Sequence, residues 1–244
     1  MSGSDYDAST STFSNDGRIF QVEYAQKATN HAGTSIGIKC IDGVVLACEN
    51  FPKSVLLVPH SQSRVTPISY SIGVVSSGLN ADGRHVSNYA RDQANSYKKN
   101  YHSDIPVGLL ADQLSLYFQQ YTQFGSYRPI GVSTIIGGYD GKPQLYSLDP
   151  NAELYGYKGV AIGKGKTHAR TALEQLPFAT ITCEQAVKEA AKILYGLTHE
   201  EERIWEIEMG WITEANNWVF ETVPAPILKA AEDEAKKWLE ERDA

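Results

Sequence analysis

Residues Phe13–Ala28, FSNDGRIFQVEYAQKA, join a turn signal to the start of a helix. The residues at 14–17, Ser-Asn-Asp-Gly, predict a turn whose short polar side chains accept free N–H groups of the helix that follows. Phe20, Tyr24 and Ala28 recur at intervals of four residues, so we expect them on one face of that helix. The stretch therefore predicts an amphipathic helix packed on a core.

The length and composition of the chain fit one globular domain. The chain has 244 residues, of which 42% are hydrophobic and 21% are charged, which is enough to bury a sizeable core. The net charge is −7, and this argues against a general binder of nucleic acids or anionic membranes. We therefore expect no nucleic-acid partner and no membrane partner.

The first twelve residues, MSGSDYDASTST, are acidic and rich in hydroxyl groups. They lack the apolar segment of a secretory signal and the basic amphipathic pattern of a transit sequence. No stretch of the sequence approaches the roughly 20 apolar residues that would span a bilayer. We therefore expect a soluble intracellular chain.

The three cysteines are an odd number and show no CxxC spacing. The Asp42-Gly43 pair predicts a two-residue hairpin loop that places Cys40 opposite Val45 and Cys48 opposite Gly37. Because the two thiols then do not face each other, we expect free buried cysteines and no disulfide.

Hydrophobic periodicity and turn signals predict the remaining elements. We expect strands at 34–41, 44–49, 69–77, 131–139, 144–148, 153–160, 204–212 and 217–222. We expect helices at 80–100, 106–124, 164–176, 183–195 and 226–242. Strands in blocks and helices in pairs indicate layers, with helices on a largely antiparallel core of two sheets.

Several ordered motifs resemble those of the alpha subunits of the 20S proteasome. The opening stretch at 13–28 closely resembles the N-terminal signature of that family. SGLNAD at 77–82 resembles its SGLxAD segment, and RPIGVS at 128–133 resembles its RPFGVS segment. Matches also follow in family order at 138–140, 145–146, 149–150, 157–158 and 161–163. Two departures, Asn15 for the usual proline and Asn151-Ala152 for a common Ser-Gly, concern turn geometry only.

The resemblance implies the fold and the domain organisation. The family fold is α+β, a four-layer αββα sandwich of the N-terminal-nucleophile hydrolase type with an added N-terminal helix. It implies a single domain over residues 13–244, preceded by a flexible gate tail at 1–12. Within the family, the chain is most similar to the alpha type-3 branch, called alpha-7 in ring nomenclature. The features that carry this similarity are the Tyr6-Asp7 pair, FQVEYA at 20–25 and WEIEMGWI at 205–212.

The resemblance also implies a catalytically silent subunit. Family members that cut peptides begin their mature chain with threonine, whose free amine serves as the base for its own hydroxyl. The matching position here is Gly33, inside an intact chain and just before Thr34. Glu49 and Phe51 stand where active relatives carry aspartate and arginine, and Arg64 falls at or beside the catalytic lysine. We therefore expect no catalytic residue, and cleavage before Thr34 would favour the alternative of an active peptidase.

A second alternative is a nucleotide-binding enzyme, because GKGKT at 163–167 ends like a phosphate-binding loop. That motif, G-x-x-x-x-G-K-[ST], requires glycine at position 160, where this chain has Val160. Gly159 lies one position before the required place. We interpret the sequence as a strand-to-helix turn. Saturable ATP binding that is lost in Lys166→Ala would favour the alternative.

No metal site or cofactor is expected. His199-Glu200 does not open a HExxH zinc motif, since position 203 is arginine. The acidic run at 200–202 is typical of a solvated surface.

The resemblance implies a set of protein partners. These are other alpha subunits in a seven-membered ring, the beta-ring subunits, and the regulatory particle or other activators. Such particles are expected in the cytoplasm and nucleus. The residues implied in ring and N-terminal-helix contacts are Phe13, Gly17, Arg18, Phe20, Gln21 and Tyr24. Phe20 and Tyr24 could equally pack on the subunit's own sheet.

Two further sites follow from the resemblance. Activators insert their C-terminal tails between neighbouring alpha subunits, and the residues implied in that pocket are Gly33, Arg64, Gly78 and Leu79. An exposed arginine without a partner is the alternative for Arg64. In subunits that close the gate, the tail carries Tyr-Asp-Arg. Here Ala8 follows Tyr6 and Asp7, so we expect a lesser part in closure, and a frayed terminus explains the composition equally well.

Overall fold

The computed structural model describes residues 9–52, 54, 56–58, 61–197 and 205–243. The helices in these ranges are α1 (Phe20–Asn30), α2 (Asn80–Tyr101), α3 (Val107–Gln123), α4 (Lys166–Leu173), α5 (Cys183–Tyr195) and α6 (Ala225–Asp243). The strands are β1 (Ser35–Lys39), β2 (Gly43–Asn50), β3 (Val65–Ser69), β4 (Ile72–Gly78), β5 (Val132–Tyr139), β6 (Pro143–Leu148), β7 (Leu154–Gly156), β8 (Gly159–Ile162), β9 (Glu206–Thr213) and β10 (Glu221–Thr222). None of the described helices is long and apolar enough to cross a bilayer.

The strands form two antiparallel sheets of five strands each. One sheet has the order β10-β9-β2-β1-β8 and the other has the order β3-β4-β5-β6-β7. Helices α4, α5 and α6 pack on the first sheet, and helices α2 and α3 pack on the second. A third apolar cluster fills the space between the sheets. The predicted four-layer αββα sandwich is therefore confirmed.

The alternation of side chains along β2 explains why the layers stack. Val45 and Ala47 belong to the cluster under helices α4 to α6, whereas Val44 and Leu46 belong to the cluster between the sheets. All eight residues of β2 are buried, because the strand has neighbours on both edges and is covered on both faces. A continuous apolar run is the pattern expected of such a strand.

The predicted register of the first hairpin was wrong. Cys40 and Gly43 close the turn through a 2.8 Å bond from N–H to carbonyl, so the loop residues are Ile41 and Asp42. Gly37 therefore lies opposite Leu46, and Cys48 lies opposite a serine of β1. Gly43 belongs to β2 because it pairs with Thr213 of β9, and only glycine fits there because a Cβ would lie 1.9 Å from the carbonyl oxygen of Ile212. The expectation of free buried cysteines is confirmed.

Other differences from prediction concern short strands. The single strand predicted at 153–160 is two strands, because β7 pairs with β6 and β8 crosses to pair with β1 in the other sheet. β3 was missed because Pro67 lies inside it, next to a shift in register. The strand predicted at 217–222 is reduced to β10, because Asn217 and Trp218 have left-handed backbone, with φ of 56° and 61°.

The helices at 80–100, 106–124, 183–195 and 226–242 are confirmed, with each end within one residue of the prediction. The helix predicted at 164–176 is shorter. It begins at Lys166 because the N–H of Lys164 bonds instead to the carbonyl of Ala32, at 2.9 Å.

The predicted capping of α1 was wrong. The N-cap is Ile19, which offers no side-chain acceptor, and the hydroxyl of Ser14 accepts from the N–H of Arg18 within the turn itself. The buried residues of α1 are Ala25 and Thr29, which face the sheet containing β4 and β5. The face that carries Phe20, Tyr24 and Ala28 is therefore left partly exposed within a single chain.

Candidate functional site

The position that would hold a catalytic threonine is occupied by Gly33, and its neighbour Thr34 is fully buried. The backbone N–H of Thr34 donates to the Glu49 carboxylate at 2.6 Å, so this nitrogen is a peptide N–H and not a free amine. The Thr34 hydroxyl oxygen accepts from the N–H of Gly165 at 2.9 Å. This geometry provides neither the base nor an accessible nucleophile for peptide cleavage.

Gly33 is required by packing, because a Cβ there would lie 2.7 Å from the carbonyl oxygen of Glu49. Its own carbonyl accepts a 2.6 Å bond from the hydroxyl of Ser77. The segment around Gly33 is therefore a structural junction between the two sheets.

The GKGKT turn faces this same junction. The N–H of Lys164 donates to the carbonyl of Ala32, and the N–H of Gly165 donates to the Thr34 hydroxyl. The Lys166 ammonium donates to the side chain of Asn30 at 2.8 Å. A phosphate-binding loop needs its backbone N–H groups free to surround the phosphates. The geometry therefore favours the strand-to-helix turn over the nucleotide-binding alternative.

A cavity of about 160 Å³ lies beside the start of α2 and is lined by Arg64, Gly78 and Leu79. Gly33, which the sequence placed with them, is not among the lining residues. One terminal nitrogen of Arg64, Nη1, donates to the carbonyls of Ser76 and Gly78, at 3.3 and 3.5 Å. The structure thus brings together three of the four residues predicted to form one pocket.

The cavity is positively charged. Arg84, on the first turns of α2, also lines it, and no Asp or Glu is among the described residues that do. The Nε of Arg64 is buried and has no hydrogen-bond partner within the described part of the chain. Sequence reasoning missed Arg84, although its place four residues after Asn80 puts it on the same helix face as the pocket motif.

The backbone of Arg64 is held by Glu208, a buried carboxylate on β9 of the other sheet. The N–H of Arg64 donates to one Glu208 carboxylate oxygen at 2.9 Å, and the Ser63 hydroxyl donates to the other. Two hydrogen bonds to a charged acceptor give this link a fixed geometry. Glu208 was not identified from the sequence, because only the folded chain places it next to Arg64.

The two motifs SGLNAD and RPIGVS meet at Asp82. Its carboxylate accepts two bonds from Arg128, at 2.6 and 2.8 Å, and a third from the N–H of Gly131, at 2.8 Å. Burial tends to raise the pKa of Asp82, but these hydrogen bonds outweigh it and the pKa lies below its ordinary value. The link also fixes Leu79, whose N–H donates to the carbonyl of Gly131 at 3.0 Å.

The N-terminal residues form an exposed aromatic surface. Phe13 is 66% exposed and Tyr24 is 42% exposed, while Phe20 is half-buried and stacks on Tyr24 with ring centroids 6.4 Å apart. Arg18 lies over the Phe20 ring, 5.0 Å from its centroid, and forms an ion pair with Glu23. The hydrogen bond from Arg18 is the main reason that the pKa of Glu23 lies below its ordinary value.

Two other residues of the predicted ring contact lie next to this surface. Gly17 has a positive φ of 72°, which a turn at this position requires, and Gln21 is half-buried on α1. Tyr6 and Asp7 lie outside the described residues, as do His199 and the acidic run at 200–202. Thr10 is buried and its hydroxyl donates to the carbonyl of Phe124 at 2.9 Å, while the boundary at residue 12 stays a prediction.

Two family profiles match the chain in succession. The N-terminal signature of the A-type proteasome subunits covers residues 6–28, and the "Proteasome subunit" profile covers residues 29–212. The chain belongs to the proteasome subunit family. The predicted resemblance to the alpha subunits is therefore confirmed.

Relatives with assigned names agree with this family. The chain is 42% identical to "Proteasome subunit alpha type-3" of Acanthamoeba castellanii, over 99% of this chain and 96% of the relative. It is 45% identical to "Probable proteasome subunit alpha type-7" of Schizosaccharomyces pombe, over 92% and 90% of the two chains. The protein of the same name from Saccharomyces cerevisiae is 46% identical over 96% of this chain and 84% of the relative.

The names also agree with the predicted alpha type-3 branch. The chain is a non-catalytic alpha-ring subunit of the 20S proteasome, the particle that degrades proteins, and it assembles with other proteasome subunits. The buried Thr34 and the intact peptide bond before it are the structural reason for the absence of catalysis.

Proposed function

We propose that the cavity beside Arg64 binds the C-terminal carboxylate of proteasome activators, including the regulatory particle. The observation that carries this proposal is the charge of the cavity. Two arginines, Arg64 and Arg84, line it without an acidic side chain among its described lining residues, and a buried nitrogen of Arg64 has no partner in the described ranges. A guanidinium with unused N–H groups is suited to bind a carboxylate through two parallel hydrogen bonds.

The neighbouring residues would hold the rest of an incoming peptide tail. Leu79 is 49% exposed at the edge of the cavity and offers an apolar contact. Gly78 has a positive φ of 141°, and a Cβ at this position would lie 2.3 Å from the carbonyl oxygen of Gly131. Gly33 would act indirectly, since its carbonyl fixes Ser77, the residue before Gly78, through a hydrogen bond.

The test compares variants of Arg64 within assembled particles. A peptide with a free C-terminal carboxylate and a photo-reactive group is cross-linked, and the yield on this chain is quantified by mass spectrometry. We expect Arg64→Ala to lower the apparent affinity of this site about tenfold to a hundredfold, because a hydrogen bond to a charged group contributes about 1.5–3 kcal/mol. Arg64→Lys should retain part of the binding, because it keeps the charge but not the fork of donors.

The matched control is Arg91→Ala. Arg91 is also an arginine of this face of the fold, but its Nε donates to the carbonyl of Pro67 at 3.0 Å and it does not line the cavity. Its replacement should leave the cross-link unchanged. Equal binding of an amidated peptide, or an unchanged cross-link in Arg64→Ala, would refute the carboxylate site.

We further propose that the subunit occupies one position in a ring of seven alpha subunits that contacts a ring of beta subunits. The exposed aromatic surface of Phe13, Phe20 and Tyr24 supports this proposal, because aromatic side chains next to an arginine are typical of protein interfaces. The ring would serve ubiquitin-dependent degradation in the cytoplasm and nucleus. Tyr6 and Asp7 of the gate tail would contribute less to closure than a Tyr-Asp-Arg tail.

Particles isolated through a tag on this chain test the assembly and the tail together. We expect a native mass of many subunits, an intact N-terminus before Gly33, and peptide hydrolysis that persists with this chain unprocessed. Removal of the first eight residues should raise basal hydrolysis less than about twofold, because the arginine contact of the gate is missing. A monomer, or a chain cut before Thr34, would refute the assembly. A large rise in hydrolysis would refute the minor role of the tail.

A further inference from the structure

Three side chains that can bind a metal ion meet under the first hairpin. These are Cys40 and Asp42 in the turn between β1 and β2, and Cys183 at the first position of α5. Their ligand atoms, the two sulfurs and a carboxylate oxygen, all lie within 4.8 Å of one another. Cys40 and Cys183 are 3% and 1% exposed, whereas Asp42 is half-buried.

We propose that Cys40, Asp42 and Cys183 form a binding site for a thiophilic divalent cation of the zinc class. The ligand types fit, because zinc is bound in proteins by thiolates, imidazoles and carboxylates. Two sulfurs on a tetrahedral zinc lie roughly 3.8 Å apart, given Zn–S bonds of about 2.3 Å. The two sulfurs, which lie within 4.8 Å of each other, therefore need to approach by about 1 Å or less, which rotation of the side chains can provide.

The backbone already holds the three ligands in place. The N–H of Cys183 donates to the Asp42 carboxylate at 2.8 Å, which leaves the other carboxylate oxygen available. The N–H of Ile41 donates to the carbonyl of Ile181 at 3.1 Å, and the N–H of Glu214 donates to the carbonyl of Asp42 at 3.0 Å. Hydrogen bonds that orient a metal ligand raise the affinity of its site.

The thiols of Cys40 and Cys183 form only weak hydrogen bonds to backbone carbonyls. Cys40 donates to the carbonyl of Ile38 and Cys183 donates to that of Ile212, each at 3.8 Å, and S–H groups are weak donors. The N-terminus of α5, a helix of 13 residues, lies beside these groups and would offset part of the negative charge that bound thiolates and Asp42 bring together. Each thiol would pass its proton to water on binding, and Asp42, the least buried of the three ligands, is the side of the cluster nearest to solvent.

The sequence did not predict this site, because its ligands have no recognised spacing. Cys40 and Asp42 lie about 140 positions before Cys183, and the fold alone brings them together. A bound cation would tie the first hairpin to α5, and so the sheet to the helix layer that covers it.

The test uses the full-length chain, reduced and freed of metal by a chelator, with Co²⁺ as a coloured probe. We expect one Co²⁺ per chain with a thiolate-to-cobalt absorption band that Zn²⁺ abolishes by displacement. Cys40→Ser and Cys183→Ser should each weaken Zn²⁺ binding on the order of 100-fold, and Asp42→Asn about tenfold. Cys48→Ser is the matched control, because Cys48 is equally buried but lies outside the cluster, and binding should be unchanged.

A second measurement needs no variant that might fail to fold. In the wild-type chain, Zn²⁺ should slow alkylation of Cys40 and Cys183 at least about tenfold without slowing that of Cys48, as mapped by mass spectrometry. The proposal would be overturned by the absence of a thiolate-to-cobalt band, or by a band that persists in both Cys40→Ser and Cys183→Ser. Equal alkylation of all three cysteines with and without Zn²⁺ would also overturn it.

Discussion

Gly163→Ala is expected to destabilise the chain by about 3 kcal/mol. Gly163 has a positive φ of 93°, and an added Cβ would lie 2.5 Å from the carbonyl oxygen of Gly33 and 2.9 Å from the hydroxyl of Ser77. Backbone strain and overpacking each cost about 1–3 kcal/mol. Thermal unfolding of the full-length chain should show a melting temperature lower by roughly 6–12 °C.

Gly141→Ala separates the two contributions. Gly141 has a similar φ of 98°, but among the described residues no atom other than those of its two chain neighbours lies within 4 Å of where its Cβ would be. It should therefore show only the cost of the left-handed backbone, on the order of 1–2 kcal/mol. Equal loss of stability in the two variants would mean that the contact between the 163–165 turn and Gly33 does not constrain the fold.

The effect of Gly163→Ala matters for function because the turn closes on the silent catalytic position. Gly163 and Gly165 allow the backbone to approach residues 32–34, where Thr34 binds the N–H of Gly165. The glycines that resemble a phosphate-binding loop in the sequence are thus explained by close packing between two strands and a helix. A nucleotide is not needed to account for them.

Most of the fold could be predicted because its signals are local. The helices α2, α3, α5 and α6 carry periodic apolar residues, and the order of the motifs is itself typical of the family. The errors occurred where a tertiary contact decides the local structure. Gly43 pairs with Thr213 of β9 as the first residue of β2, so the turn of the first hairpin consists of Ile41 and Asp42.

The face of α1 shows a different limit. Periodicity identified Phe20, Tyr24 and Ala28 correctly as one face, but it cannot tell whether that face meets the chain's own core or another subunit. Within one chain the core side is formed by Ala25 and Thr29. The partly exposed aromatic face is the part of α1 that we propose contacts another subunit.

The cavity could be predicted only in part. Arg64, Gly78 and Leu79 were placed together by resemblance, and the structure agrees that they line one cavity. Arg84 and Glu208 were not predicted. Arg84 was assigned only to a helix and not to the cavity, and Glu208 lies 144 positions from Arg64 in the sequence. A residue that positions a functional side chain through a tertiary contact cannot be recognised from the spacing of residues in the sequence.

Glu208→Ala is expected to lower stability by about 1–3 kcal/mol and to weaken activator docking although Arg64 itself is not replaced. The replacement leaves the part-buried N–H of Arg64 without its acceptor, and such a loss costs about 1–3 kcal/mol. The exposed Ser63 hydroxyl loses its bond to Glu208 but keeps a 2.6 Å bond to the carbonyl of Val65. Arg64 then loses its fixed backbone position, so the cross-link of a C-terminal peptide to this chain should fall about tenfold. The measurement is made well below the melting temperature of the variant, so that unfolding does not contribute.

Two further variants distinguish positioning from general damage. Glu208→Gln keeps an acceptor oxygen of similar shape, and it should restore most of the cross-link. Glu206→Ala, on the same strand, removes the acceptor of a 3.2 Å bond from the Asn50 side chain and is not bonded to Arg64. It should lower stability without changing docking at temperatures where the chain is folded. If Glu206→Ala and Glu208→Ala reduce the cross-link equally, then Glu208 contributes only to the stability of the fold. The position of Arg64 would then not depend on Glu208.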